Sequence, residues 1–127
     1  MDGELKGVLK AFSAEVEENL IATGIVSIDG KLVEYEAHMV RGRTYNVERS
    51  ASIFAMIVNI LDKTLIEVYE GKEDVGEVLV TTQKSFYIFR AIGKGAYYHG
   101  ATFTSVTDME RVRKVMKKYE PLFAERL

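Results

Sequence analysis

One stretch, residues 46–70 (NVERSASIFAMIVNILDKTLIEVYE), limits what this chain can become, because as a helix it carries more apolar surface than one sheet covers. At 100° per residue, Val47, Ala51, Phe54, Val58, Leu61, Leu65 and Val68 recur at spacings of four and three and form one core-facing stripe. Ile53, Met56, Ile57 and Ile60 add a second lobe beside it. The apolar arc then spans roughly two-thirds of the circumference, where one buried face needs roughly 100°. Glu48, Ser52, Asn59 and Lys63 keep the continuous polar strip. Such a helix must be covered from two directions, either inside one domain or by a second subunit.

The elements around it follow from periodicity and turn chemistry. From Asp2 to about Asn19, Leu5, Val8, Leu9, Phe12, Val16 and Leu20 fall at helical spacing, with Asp2 as cap and Asn19 helping to end the helix. Ala22 to Ile28 reads as a strand that stops at Asp29-Gly30, which predicts a two-residue hairpin turn into a strand over Lys31 to Ala37. In that second strand Lys31, Val33 and Tyr35 alternate with Leu32, Glu34 and Glu36, as suits an outer edge that meets water. Asn46 caps the long helix.

Three strands are then expected: Gly76 to Thr82, Ser85 to Ile92 and Ala96 to Phe103. Val78-Leu79-Val80 and Phe86 to Phe89 are apolar on both parities, so the sheet should have helices on both faces. Thr107 to Glu110 reads as a capping box for a last helix through Val112, Val115, Met116 and Tyr119, which Pro121 should kink or end. The expectation is one α+β domain, residues 1–127, with α-β-β-α-β-β-β-α order. Its five-stranded antiparallel sheet has the long helix on one face, the terminal helices on the other, and the Lys31 to Ala37 strand at an outer edge.

Composition excludes several functions. With no cysteine among 127 residues, disulfides, thiolate metal sites and a cysteine nucleophile are absent. Seventeen basic and nineteen acidic side chains leave a charge of −2, which gives no general attraction to nucleic acid or to an anionic membrane. No stretch reaches the roughly 18 apolar residues of a membrane span and no secretory signal is evident, so a cytoplasmic protein without membrane insertion is expected.

A search for chemistry ends in structural readings. His38 and His99 have no cysteine or paired histidine at ligand spacing, so no metal site is expected and they read as a loop and a strand histidine. Gly93-Lys94-Gly95 lacks the strand-to-helix context of a dinucleotide loop and reads as a hairpin. Arg41 and Arg43, in the loop before the long helix, have the residue type of an arginine finger but are read as solvated and not catalytic. Asp29 serves its turn. No catalytic residue and no cofactor are expected.

The run Gly24 to Gly30, the long apolar helix, the Glu77 to Val80 strand, the Arg90 to Gly95 turn and the closing helix together resemble a Roadblock/dynein light-chain domain. The resemblance implies a homodimer in which the third strand pairs with its own copy and the long helices pack side by side. Ile53, Met56, Ile57, Ile60, Val78, Leu79 and Val80 would then form the interface. It also implies a non-enzymatic scaffold that binds a Ras-like small GTPase, with or without stimulation of GTP hydrolysis, or an adaptor platform. The chain ends soon after its last helix, which leaves the adaptor role open. A second reading of the same layout is a small-molecule-binding sensor domain, which needs a cavity with converging polar groups.

Overall fold

A computed structural model describes residues 2–38, 45–69, 75–104 and 108–127 of the chain, with side chains from residue 4 onward. The elements are α1 (Asp2–Val16), β1 (Leu20–Ser27), β2 (Leu32–Ala37), α2 (Val47–Tyr69), β3 (Glu77–Thr81), β4 (Ser85–Ile92), β5 (Tyr97–Thr104) and α3 (Met109–Ala124). The sheet is antiparallel throughout in the order β2-β1-β5-β4-β3. Strands β2 and β3 are therefore its two edges.

Strand parity assigns each side chain to one of two cores. Leu20, Ile25, Phe86, Ile88, Ile92, Ala101 and Phe103 pack with Leu9, Phe12 and Val16 of α1 and Val112, Met116 and Phe123 of α3. The residues between them, among them Val26, Phe89 and Tyr98, pack with Ala51, Phe54 and Val58 of α2. The layering read from the apolar parities is what the structure has: α2 alone on one face, α1 and α3 on the other.

Local chemistry moves several boundaries. Helix α1 ends at Val16, and Asn19 turns the chain at φ +68°, a value asparagine tolerates better than most residues. The Leu20 amide then bonds Glu17 O at 3.2 Å, and Asn19 O accepts from Thr104 N at 2.9 Å. The hairpin after β1 has a three-residue loop instead of two. Ser27 N bonds Lys31 O at 2.8 Å, Gly30 N bonds Ser27 O at 3.0 Å, and Gly30 alone of the loop takes a positive φ, +91°. A two-residue type I′ turn would need positive φ at both central positions, whereas a three-residue loop needs it at one.

β2 also departs from simple alternation. Val26 pairs with Leu32 and Ile25 with Glu34, so Val33 is an extra residue, a β-bulge that breaks the predicted parity. Leu32 packs on the α2 core, while Glu34 approaches Lys6 of α1 at 3.5 Å.

Asn46 caps α2 as expected, its Oδ1 accepting from Arg49 N at 3.0 Å. At the start of α3 the cap is Asp108, whose Oδ1 accepts from Arg111 N at 3.2 Å. Thr107, assigned that role from sequence, lies outside the described residues, as do Arg41, Arg43 and the Asp2 side chain. Pro121 sits inside α3 without ending it. The helix continues because Phe123 is fully buried beyond it. Burial of such a ring contributes about 1.5 to 3 kcal/mol, comparable to the roughly 3 kcal/mol that an interior proline costs.

Candidate protein-interaction surface

Helix α2 outruns the sheet it covers. Its 23 residues make a rod about 35 Å long. A sheet of five strands is about 24 Å across. Asp62 Oδ1 accepts from Val75 N at 3.2 Å, just ahead of edge strand β3, and of residues 63–69 only Leu65 is half-buried against the core. Leu61 and Val68, read from sequence as part of the core stripe, are 36% and 64% exposed for this reason. Ile66 and Tyr69 are exposed as well, so the far end of α2 is apolar and uncovered on several sides.

The second lobe is solvent-facing in the single chain. Met56 is 58% exposed, Ile60 57% and Ile53 43%, and Ile57 is half-buried against the α2 core. Val78 and Val80 of β3 pack on that same core, which brings lobe and edge strand together. Leu79, on the opposite parity, points to the terminal-helix side and is 39% exposed. Gly76 O accepts from Ala91 N and Thr82 N donates to Ser85 O, both at 2.8 Å, so the backbone of Val78 and Val80 turns inward to β4 and Leu79 presents both its backbone edge and its side chain.

The β3 edge carries no free charge. Its one ionisable residue, Glu77, is neutralised from two sides: Arg90 Nη1 is 2.6 Å from Oε1, and Arg113 Nη2 of α3 is 2.9 Å from Oε2. Natural edges are normally shortened, bulged or charged, as β2 is, and with its one charge sequestered the β3 edge lacks a free charge to blunt it. The Glu77–Arg90–Arg113 cluster was not read from sequence. Its signal was the cross-strand pairing of Glu77 with Arg90, visible only once the β3–β4 register is known.

The remaining candidates are structural. His99 is buried in β5, 4.5 Å from the Phe12 ring and 4.7 Å from Phe123, and burial, with Arg90 nearby, lowers its pKa to about 3. His38 follows β2 and is exposed. Asp29 accepts from the Ser27 hydroxyl, which holds its carboxyl below the usual range. Glu15 is lowered by hydrogen bonds from Lys118 and then Tyr119, and the Tyr119 hydroxyl is raised by burial and by Glu15. Among the described residues no cluster of His, Asp or Glu is placed to hold a metal ion, and no helix is long and apolar enough to cross a membrane.

Beneath the start of α2, Gly24 and Gly100 pair across β1 and β5 and leave a recess bordered by the hydroxyls of Tyr45, Ser50 and Thr102. Tyr45 bonds to both of the others. The recess has about 20 Å³ of usable volume, the room of one water.

No family model matches the sequence, and no curated protein does. Solved structures match the fold. The gliding protein MglB of Thermus thermophilus has TM-score 0.81 at 10% identity, over 97% of this chain and 87% of that one. Myxococcus xanthus MglB has TM-score 0.80 at 14% identity, over 98% and 87%. A Roadblock/LC7 domain from Streptomyces avermitilis has TM-score 0.71 at 13% identity, over 92% and 95%. At these identities the likeness is one of fold, and it agrees with the resemblance carried by the turn and strand patterns. The chain has a Roadblock/LC7-like fold.

Proposed function

We propose that this chain is a non-enzymatic homodimeric scaffold of the cytoplasm that binds a Ras-like small GTPase. The observation that carries the dimer is the uncovered lobe of α2 beside an open, charge-neutralised β3 edge. Two copies related by a two-fold axis through Leu79 set Val78 opposite Val80 and make one continuous sheet. They also place a second sheet edge beside the overhanging end of α2. Burying Ile53, Met56 and Ile60 contributes on the order of 1.5 to 3 kcal/mol each, counted twice by symmetry. That offsets an association cost of roughly 4 to 15 kcal/mol.

The GTPase assignment rests on the family resemblance and on the fold shared with MglB. A scaffold without its own catalytic group raises hydrolysis, where it does so, by ordering the GTPase's own residues. The small-molecule sensor is less supported, because ligand pockets measure roughly 300 to 1,000 Å³. The recess under α2 measures about 20 Å³.

Light scattering on the chain mixed with Ras-like GTPases of its own organism, each loaded with GDP or a non-hydrolysable GTP analogue, tests the reading. A complex selective for one nucleotide state is expected. Failure of every GTPase to bind, together with a metabolite that raises the melting temperature, would replace the scaffold with the sensor.

A further inference from the structure

The other sheet edge is plugged by two side chains that stand where a strand would. Tyr35 of β2 directs both its backbone groups outward. Its N–H donates to Glu34 Oε1 at 3.1 Å, and its carbonyl accepts from Lys6 Nζ of α1. Lys6 Nζ is also 3.5 Å from Glu34 Oε1 and 5.5 Å from the centre of the Tyr35 ring. A carbonyl, a carboxylate and an aromatic face are three groups that hold a cation. The occupant is a flexible side chain, itself 37% exposed, so it yields readily to a better-placed ligand.

Two residues along on the same face, Glu36 Oε2 is buried and receives no hydrogen bond from the described residues. A carboxylate oxygen out of water without a donor is unfavourable, and an incoming cation would relieve it. Between them Tyr35 is 41% exposed on the opposite face, and a groove of about 520 Å³ runs along β2 beside Glu48 and Ser52 of α2.

We propose that the outer edge of β2 is a docking strand for an extended segment of a partner protein that carries basic residues at alternate positions with an apolar residue between them. The segment's backbone replaces Glu34 and Lys6 on the outward groups of Tyr35. Its first basic side chain pairs with the released Glu34, its second supplies the donor that Glu36 lacks, and the apolar residue lies on Tyr35. This site uses neither β3 nor the α2 lobe, so it stands independently of the dimer.

The probe is a labelled synthetic peptide, TVKVKVT, with TVEVEVT as control, followed by fluorescence anisotropy and by hydrogen exchange of the β2 amides. The lysine peptide is expected to bind and to protect residues 32–37. Lys6→Ala should tighten binding at least threefold by removing the intramolecular competitor, and Glu36→Gln, which keeps the side-chain volume, should weaken it about tenfold. The proposal is overturned by equal binding of the control, by indifference to Glu36→Gln, by protection at β3 instead, or by no binding even to Lys6→Ala. It is also overturned if Lys6→Ala raises the chain's own assembly size without peptide, which would make the occupant a second copy.

Discussion

Thr23 Oγ1 and His99 Nε2 lie 2.8 Å apart inside the terminal-helix core, and the same hydroxyl donates its proton to Gly100 O at 2.9 Å. With that proton committed, the ring nitrogen must be the donor to Thr23, and since burial, with Arg90 nearby, keeps the imidazole neutral, it is held as the Nε2–H tautomer.

The pairing predicts how stability depends on pH. The unfolded imidazole takes a proton near pH 6.5, and the folded one only near pH 3. Stability is therefore fully present above about pH 6.5 and is lost as pH falls toward 3, at up to about 1.4 kcal/mol per unit. Glu15 and Asp29, lowered from 4.5 and 3.8, add loss of the same sign that sets in only as pH falls to about one unit above those values, so the upper part of the range below 6.5 reports His99. Urea unfolding across this window should show the slope in the wild type and a much flatter profile in His99→Leu. A wild-type profile without slope there would contradict a neutral, buried His99.

Two glycines should respond to alanine with opposite sign. A Cβ on Gly100 would come within 2.9 Å of the Phe89 ring, which stacks on Phe54 at 4.3 Å and cannot retreat without opening the α2 core. Gly100→Ala should destabilise by about 1 to 2 kcal/mol, overpacking outweighing the backbone gain. Gly7, in α1 with nothing within 4 Å of its Cβ position, should gain about 0.5 to 1 kcal/mol on the same change. Chemical denaturation of both variants checks the pair.

Arg41 and Arg43 should be dispensable for chemistry. If a GTPase partner hydrolyses faster in the presence of this chain, the double alanine variant should preserve that acceleration within about twofold, since an arginine finger is worth roughly 10³ to 10⁵ in rate. Loss of acceleration with binding intact would assign them a catalytic contact.

Much of the architecture was legible because each strand's parity declared two covered faces and each helix its stripe. Phe86 and Ile88 against Phe89 and Tyr98 already required helices on both sides of the sheet. What sequence missed depends on where elements stop and on register. Leu61 and Val68 obey helical spacing, but spacing does not say that the sheet ends before α2 does. The bulge at Val33 is set by pairing with Ile25 and Val26, a relation between strands that periodicity within one strand does not contain. The partners of Glu77 needed both the β3–β4 register and the position of α3. The α2 lobe, Ile53, Met56, Ile57 and Ile60, was legible as surplus apolar surface, and three of those four side chains are exposed in the single chain.

Light scattering on the wild type and on Met56→Glu tests the two-fold interface most directly. Met56 is 58% exposed in the single chain, so the change leaves the protomer's core intact while placing a charge in the proposed contact. A two-fold interface there predicts a wild-type mass twice the 14.3 kDa of one chain at tens of micromolar, and a folded monomer for the variant. A wild type that is monomeric at that concentration, or a variant that stays dimeric with unchanged melting, would contradict it.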